Sequence, residues 1–465
     1  MIKEFFEKLK KRKAWIVEIS IVMFVFVFFT DLLFEKFADF RMVASGDSVW
    51  EVLFLSAGIM VAVIPVFHLL FQSVLVCFYK PETHWPSGRP LPGCTVIVPA
   101  YNEGEHVAQT LESLLKSDYP KDKLEIIAIN DGSADDTWQW IKLVADKSEG
   151  IIRPVNLERN GGKKHALYMG FNEAKHDLVL TIDSDSIVQV DTIRNLIIPF
   201  QHQQVGGAAG VVRVRNINNG LIPRMLDICF VFSCDFMRSA QSTIGSVLCS
   251  PGAISAYRKA ALLPHLDKWL NQKFLGKPSN IGEDRALTSI LLKNGYHVVL
   301  QNNALVETCV PENYRQLCKT LIRWTRGDVR EGLLMVGHFF RKHGGFRITA
   351  LKINIVCQLF SLITPLLLLP STIYLICTHG DNLIFILYYM VVAAWLWASI
   401  PAILYAQRES PLKSLWAFVY AIFGLLALSW ICTYSWITMN NSKWMTRNSK
   451  KADTSEVESV SSRIS

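Results

Sequence analysis

Five long apolar blocks bracket a single polar stretch, and this arrangement limits what the chain can fold into more than any other feature. Residues 15–34 and 52–78 precede the polar stretch; residues 353–377, 383–405 and 415–439 follow it. Each block is close to or above the ~20 residues needed to cross a bilayer core. Buried helices of soluble proteins rarely stay apolar on every face for that long. An integral membrane protein is therefore expected, and 465 residues leave room for a core-bearing domain between the blocks.

Charge sets the expected orientation. Lys3, Lys8, Lys10, Lys11, Arg12 and Lys13 precede the first block, and no small-residue cleavage pattern follows it, which predicts a retained anchor with a cytoplasmic N-terminus. Two crossings return the chain to the cytoplasmic side at Tyr79. Thr378-His-Gly-Asp-Asn382 carries no Lys or Arg and is expected outside; Arg408 and Lys413 bring the next connection back inside. A simple crossing at 415–439 would then place Lys443, Arg447, Lys450 and Lys451 outside, against the positive-inside rule. A bend at Phe423-Gly424, or broken or tilted helices with a cytosolic tail, resolves the conflict. Residues 338–347 are expected at the interface, and the Ser/Glu-rich 454–465 is expected to be disordered. The net charge of +8 sits largely beside these helices and suits anionic lipid headgroups; no nucleic-acid motif accompanies it. Ten scattered cysteines show neither CxxC nor zinc spacing, consistent with a reduced cytosolic domain.

In the polar middle, residues 80–335, short apolar strands alternate with amphipathic segments, predicting an α/β sheet with crossover helices. Cys94-Thr-Val-Ile-Val-Pro-Ala-Tyr-Asn-Glu103 reads as a buried strand and turn before a helix over 105–116. Lys123-Leu-Glu-Ile-Ile-Ala-Ile-Asn-Asp-Gly-Ser133 is a second strand, with Asp135 or Asp136 capping a helix through Val144. A third strand is expected near 151–157, after which Arg159-Asn-Gly-Gly-Lys-Lys164 opens a helix through Ala174. Leu178-Val-Leu-Thr-Ile-Asp-Ser-Asp-Ser186 then brings Asp183 and Asp185 to a strand's C-terminal edge. Residues i and i+2 of an extended chain point the same way, so both acids are expected to face one hard cation that can hold a diphosphate. Taken alone, the stretch is equally a strand followed by an Asp/Ser turn.

Polar residues thus collect where open α/β sheets bind ligands. Asp131 can accept from a base or ribose edge, and Gly161, Gly162 and Lys163 can approach phosphates, although the stretch lacks P-loop spacing. Further on, 207–214 reads as a strand, 216–238 as a helix, and 247–257 as strand-turn-strand around Pro251-Gly252. Gly282-Glu-Asp-Arg-Ala-Leu-Thr288 heads an amphipathic helix. Its acids either complement the helix dipole or make Asp284 a general base beside Arg285. In Leu321-Ile-Arg-Trp-Thr-Arg-Gly-Asp-Val-Arg-Glu331, Arg323, Arg326 and Arg330 share a helix face. That face is either solvated or, with Trp324, part of a site that stacks a sugar ring and neutralises phosphate.

Pro99-Ala-Tyr-Asn-Glu103, Asn130-Asp-Gly-Ser133, Asp183-Ser-Asp185, Gly282-Glu-Asp284 and Arg323-Trp324, in this order between apolar blocks, resemble the processive inverting glycosyltransferases of family 2. That group includes cellulose, chitin, poly-N-acetylglucosamine and hyaluronan synthases. Arg238-Ser-Ala-Gln241, Trp269, Lys273-Phe-Leu-Gly276, Gly282-Glu-Asp-Arg285, Arg330-Glu331 and Lys443-Trp-Met-Thr-Arg447 are most similar to class I hyaluronan synthases. Gly282-Glu-Asp-Arg285 and Val310-Pro311 also resemble rhizobial chitooligosaccharide synthases. The resemblance implies a glycosyltransferase A-type fold, a Rossmann-like mixed α/β sheet in the cytosol between transmembrane α-helices. It also implies polymerisation from UDP-GlcNAc, either alone or alternating with UDP-GlcA, and export of the polysaccharide through a channel of the cell membrane.

By matching position, Tyr101, Glu103, Asp131, Lys163, Asp183, Arg323 and Trp324 would hold the UDP-sugar donor. Asp183 and Asp185 would hold Mg2+ or Mn2+, Asp185 more directly. Asp284 would deprotonate the acceptor hydroxyl of the growing polysaccharide, and Trp324 would contact the acceptor sugar. Thr320 stands where the family's Q-x-x-R-W pattern has glutamine, which puts processive elongation in question. The implied division is 1–79 (N-terminus and two membrane helices), 80–335 (catalytic), 336–352 (interfacial), 353–440 (membrane) and 441–465 (tail). Two other readings use the same residues: a single transfer to a lipid acceptor, and a membrane protein that binds nucleotide sugars without turnover.

Overall fold

A computed structural model describes residues 64–339, 345–378 and 383–441. The expected anchor at 15–34, the first part of block 52–78, the links 340–344 and 379–382, and the tail from 442 lie outside the described residues. Chain contacts divide the protein into two compact units.

One unit contains Pro81–Leu226 and Gly245–Gly327. Its eight-stranded mixed sheet has the order β3-β2-β1-β4-β7-β6-β10-β5. The strands are β1 (Cys94–Ala100), β2 (Leu124–Asn130), β3 (Ile152–Asn156), β4 (Leu178–Ile182), β5 (Ser186–Val188), β6 (Val205–Val214), β7 (Ile254–Arg258) and β10 (His297–Thr308). A separate ribbon is made by β8 (Lys273–Phe274) and β9 (Lys277–Pro278). Every residue of β1 and β4 is buried, as their near-continuous apolar runs, rich in Val, Ile and Thr, predict for strands covered on both faces. Helix Lys163–Glu173 lies against β1 so closely that a Cβ on Gly170 would come 2.6 Å from Ile97 Cγ2.

Strands β3, β2, β1 and β4 are parallel, while β7 runs antiparallel to β4 and β6. Pairing of β1 with β4 ends at Ile97↔Thr181, whereas β1 stays paired with β2 to Ala100↔Asn130. Pro99, which has no N–H, falls beyond the last β1–β4 pair, so it removes no bond to β4. The sheet therefore opens between β1 and β4, at the switch in strand order where α/β proteins form a crevice.

Two expectations are corrected here and one alternative is settled. A strand was expected on each side of Pro251-Gly252, but only β7 forms. Val247 N–H donates to Val298 O and Ser250 N–H to Thr288 Oγ1, so those donors are not available to a hairpin. The two acids after β4 do not lie on extended chain: Ser186 N–H donates to Asp183 O at 3.1 Å, closing a turn that Asp and Ser favour. Of the two capping candidates, Asp135 accepts the N–H of Thr137, the first residue of helix Thr137–Asp146.

The other unit contains, among described residues, 64–80, Asp227–Ile244 and Asp328–Met439. Three of its helical stretches are long and apolar enough to cross a membrane: Phe346–Leu366, Met390–Arg408 and Pro411–Leu428. Leu69, Ile228, Val231, Phe236, Ala398 and Leu404 are part of its core. Polar ties join its elements, with Tyr405 OH donating to Asp227 Oδ2 at 2.8 Å and Arg408 pairing with Asp235 at 2.6 Å. Block 415–439 does not reverse into a hairpin. Backbone angles stay α-helical at Leu415, Phe423, Gly424 and Ser429, and a π-helical stretch, Gly424–Leu428, follows the expected bend.

Candidate active site

The crevice is walled by loops that hold one another in place. After β1, Asn102 takes a positive φ of 53°, its N–H donates to Ser133 Oγ, and its Oδ1 accepts from Ala134 N–H. Glu103 and Gly104 N–H both donate to Thr137 Oγ1 at 2.9 Å. The loops after β1 and β2 are thereby joined, with half-buried Tyr101 and Glu103 at their rim. Buried Asp131 accepts from Gly161 N–H and Gly162 N–H, each at 2.8 Å. One carboxylate thus ties the Gly161-Gly162 turn to the end of β2, a task the sequence did not reveal.

That turn launches helix Lys163–Glu173, and the Lys163 side chain, 15% exposed, reaches two acids from distant parts of the chain. Its Nζ pairs with Asp183 at the end of β4 and lies 3.3 Å from Glu283 Oε1. Burial alone would lower the Lys163 pKa, but the charges of Asp183 and Glu283 outweigh it and the net shift is upward.

Asp284 follows Glu283 in the first turn of helix Glu283–Lys293. Its Oδ2 accepts from Gly252 N–H at 3.0 Å and its Oδ1 from Arg285 N–H at 2.7 Å. Burial and the neighbouring Glu283 charge push its carboxyl up to about 6, against the lowering pull of Lys163. Gly252 is where the groups converge. A Cβ there would stand 3.0 Å from Lys163 Nζ, 3.4 Å from Asp284 Oδ2 and 3.8 Å from Glu283 Oε1. The Pro251-Gly252 bend is thus a close backbone approach to charged side chains.

Asp185 Oδ1 accepts from Ser186 Oγ at 3.4 Å and Thr308 Oγ1 at 3.3 Å, so β5 and β10 orient it. On helix Tyr314–Phe339, Trp324 is 38% exposed, but Arg326 and Arg330 are each 1% exposed. The solvated reading of that basic face is overturned: Arg330 Nε, for one, donates to the Met439 carbonyl at 2.6 Å. Buried guanidinium groups need such acceptors.

Several site residues were missed or under-read in the sequence. Glu283 was taken as a dipole complement, yet it is buried and faces Lys163. Lys164 Nζ donates to Ser279 O and lies 5.3 Å from the centre of the Trp269 ring, while Trp269 Nε1 donates to Glu283 O. Gly282 and Gly327 meet backbone to backbone, with a Cβ on Gly282 falling 3.2 Å from Gly327 Cα. Trp269, Gly282 and Glu283 fall within stretches that carry the family resemblance, but nothing local in the sequence shows which groups they meet.

A mixed sheet opening between β1 and β4, with acids at the end of β4 and on a helix facing the same lysine, defines the glycosyltransferase A-type class. Residues 92–327, just over half of the chain, match the family described as Glycosyltransferase like family 2. The protein belongs to that family and is a hexosyltransferase. It is 35% identical over 254 residues to an N-acetylglucosaminyltransferase of Mesorhizobium japonicum, covering 54% of this chain and 59% of that relative's length. Against a hyaluronan synthase of Streptococcus pyogenes it is 28% identical over 390 residues, 83% of this chain and 90% of the relative. A mannosyltransferase from Pyrobaculum calidifontis, solved in complex with GDP-Man and Mn2+, shares the fold. Its TM-score is 0.56 at 20% identity, covering 81% of this chain and 98% of that one.

Proposed function

We propose that this glycosyltransferase joins sugars from UDP-activated donors into a β-linked polymer containing N-acetylglucosamine and exports it across the membrane that holds it. UDP-GlcNAc is one donor, and UDP-GlcA is the second in a hyaluronan-synthase-like cycle. The carrying observation is Lys163, which joins the donor-side acid Asp183 to the pair Glu283 and Asp284. In this reading Tyr101, Glu103, Asp131, Lys163, Asp183, Arg323 and Trp324 bind the donor, and Trp324 also stacks on the acceptor sugar.

The chemistry is one in-line displacement. The acceptor hydroxyl oxygen bonds to the anomeric carbon, the carbon–oxygen bond to UDP breaks with its electrons leaving on the diphosphate, and Asp284 takes the hydroxyl proton. A carboxylate pushed up to about 6 is ionised at neutral pH yet basic enough to share that proton. The N–H groups of Gly252 and Arg285 hold it in one orientation.

A divalent cation, Mg2+ or Mn2+, fits the end of β4. Asp183 and Asp185 supply hard oxygen donors, and among the described residues no group of three or more His, Cys, Asp or Glu could hold a metal alone. Mg2+ in particular is usually held by one or two carboxylates, with substrate phosphates and waters completing its shell. Bound there, the cation would supply charge neutralisation for the departing diphosphate.

The positive-inside pattern supports a plasma-membrane protein with residues 80–335 in the cytosol, where UDP-sugars are available. The test is to incubate purified protein with each labelled UDP-sugar, singly and in pairs, and then digest the product with hyaluronidase or chitinase. A digestible polymer supports the proposal. A single sugar transferred to lipid would overturn polymerisation, and UDP release from neither donor would overturn the donor assignment.

A further inference from the structure

We infer that Gly327 is a positioning residue that sets how far the acceptor-stacking Trp324 stands from the base Asp284. The inference rests on the proposed roles of those two residues and goes beyond them, since it concerns the contact that fixes their separation.

The two groups ride on different helices, Glu283–Lys293 and Tyr314–Phe339. The helices meet where neither has a side chain. A Cβ on Gly282 would lie 3.2 Å from Gly327 Cα, and a Cβ on Gly327 would lie 3.3 Å from Gly282 Cα. Gly282 caps its helix in the left-handed region, at φ 78° and ψ 32°, which a side chain would strain. Asp284 follows two residues later. Trp324 precedes Gly327 by three residues, hence on the same helix face about one turn away, roughly 5–6 Å between the β-carbon of Trp324 and the position a β-carbon would take at Gly327. Both functional groups therefore lie within a turn of one backbone-to-backbone contact.

The neighbour facing Gly327 is backbone, so a methyl group there cannot be accommodated by turning a flexible side chain. The helices must part by a few tenths of an ångström, and that displacement passes to Trp324 relative to Asp284. Transfer depends steeply on such distances: a misplacement of about 1 Å can cost on the order of a hundredfold in rate. The donor loops of β1 and β2 are braced by their own hydrogen bonds, among them those of Asp131 and Thr137. Of the donor-binding residues only Arg323 and Trp324 ride on the displaced helix, so donor affinity is expected to fall less than acceptor affinity.

Gly327→Ala tests this, with Gly337→Ala as its control. Both positions lie in the same helix, and a Cβ on Gly337 would meet nothing within 4 Å. Alanine favours a helix interior over glycine, so both variants gain intrinsic helix stability. In the full-length protein in detergent, the KM for a soluble β-linked N-acetylglucosamine oligomer is expected to rise about threefold or more in G327A. Product chains are expected to shorten while UDP affinity falls by a smaller factor than acceptor affinity; G337A should match the parent. Equal acceptor KM and product length in the two variants would overturn the inference, as would a loss of UDP affinity in G327A as large as its loss of acceptor affinity. A parent protein that transfers to no such acceptor would instead overturn the proposed function, and the inference with it.

Discussion

Gly252 presents its N–H to Asp284 Oδ2 at 3.0 Å, while the position its missing Cβ would take is 3.0 Å from Lys163 Nζ. One glycine therefore both orients the carboxylate and leaves room for the lysine beside it. Gly252→Ala forces the lysine tip to withdraw, since it is the flexible neighbour. Turnover is expected to fall about tenfold, the equivalent of ~1.4 kcal/mol in the barrier. The protein should still fold, and steady-state UDP release measures the effect.

The raised carboxyl of Asp284 gives a pH dependence with a definite sign. Below about 6 the group holds a proton and cannot take another; above it the carboxylate is free to act. The value of kcat/KM for the acceptor should climb through pH about 6 and level off above it. Asp284→Asn should lower kcat by a factor on the order of 10²–10⁴ at every pH, with UDP binding kept. Substantial turnover in that variant would remove Asp284 as the base.

Lys163 and Glu283 pull the same carboxyl in opposite directions, the glutamate raising and the lysine lowering its proton affinity. Lys163→Met should move the midpoint of the pH profile toward alkaline pH and weaken UDP-sugar binding. Glu283→Gln should move it toward acid. A pH-rate series on the two variants checks both signs together, and shifts in the same direction would contradict this electrostatic arrangement.

Chelation should abolish UDP release, and Mg2+ or Mn2+ should restore it. In Asp185→Asn the cation concentration needed for half-restoration should rise at least about tenfold, reflecting one lost carboxylate ligand. Mn2+ binding followed by paramagnetic resonance gives a readout independent of turnover.

Much of the sheet was legible because its strands are short, near-continuous apolar runs: residues 178–182 form β4 with the boundaries the sequence predicts. The placing of acids at strand ends was legible for the same reason, because a parallel strand so buried must deliver its next polar residue to the crevice. The lysine bridge was not. Lys163 is 20 residues from Asp183 and 120 from Glu283, and only tertiary folding brings three such separated groups together. The Arg326 and Arg330 face was left open between water and protein because helical periodicity gives a common direction without saying which lies there. At Asp183–Ser186 the sequence offered both an extended pair of acids and an Asp/Ser turn, and strand alternation does not hold past the end of the strand, where the turn forms.

The early end of β1–β4 pairing has a thermodynamic consequence. The Asp183 turn stays tied to the β7 side, where Ile182 pairs with Ile254, while the loops after β1 and β2 are fastened to each other and, through Asp131, to the Gly161-Gly162 turn. On the proposed function, a diphosphate and its cation lodged between them would take the place of rungs the ladder lacks. Occupancy and cohesion would then be a single linked equilibrium, in which a ligand present at a hundred times its dissociation constant adds about 2.7 kcal/mol to the folded state. The substrate would act, for as long as it stays, as part of the sheet.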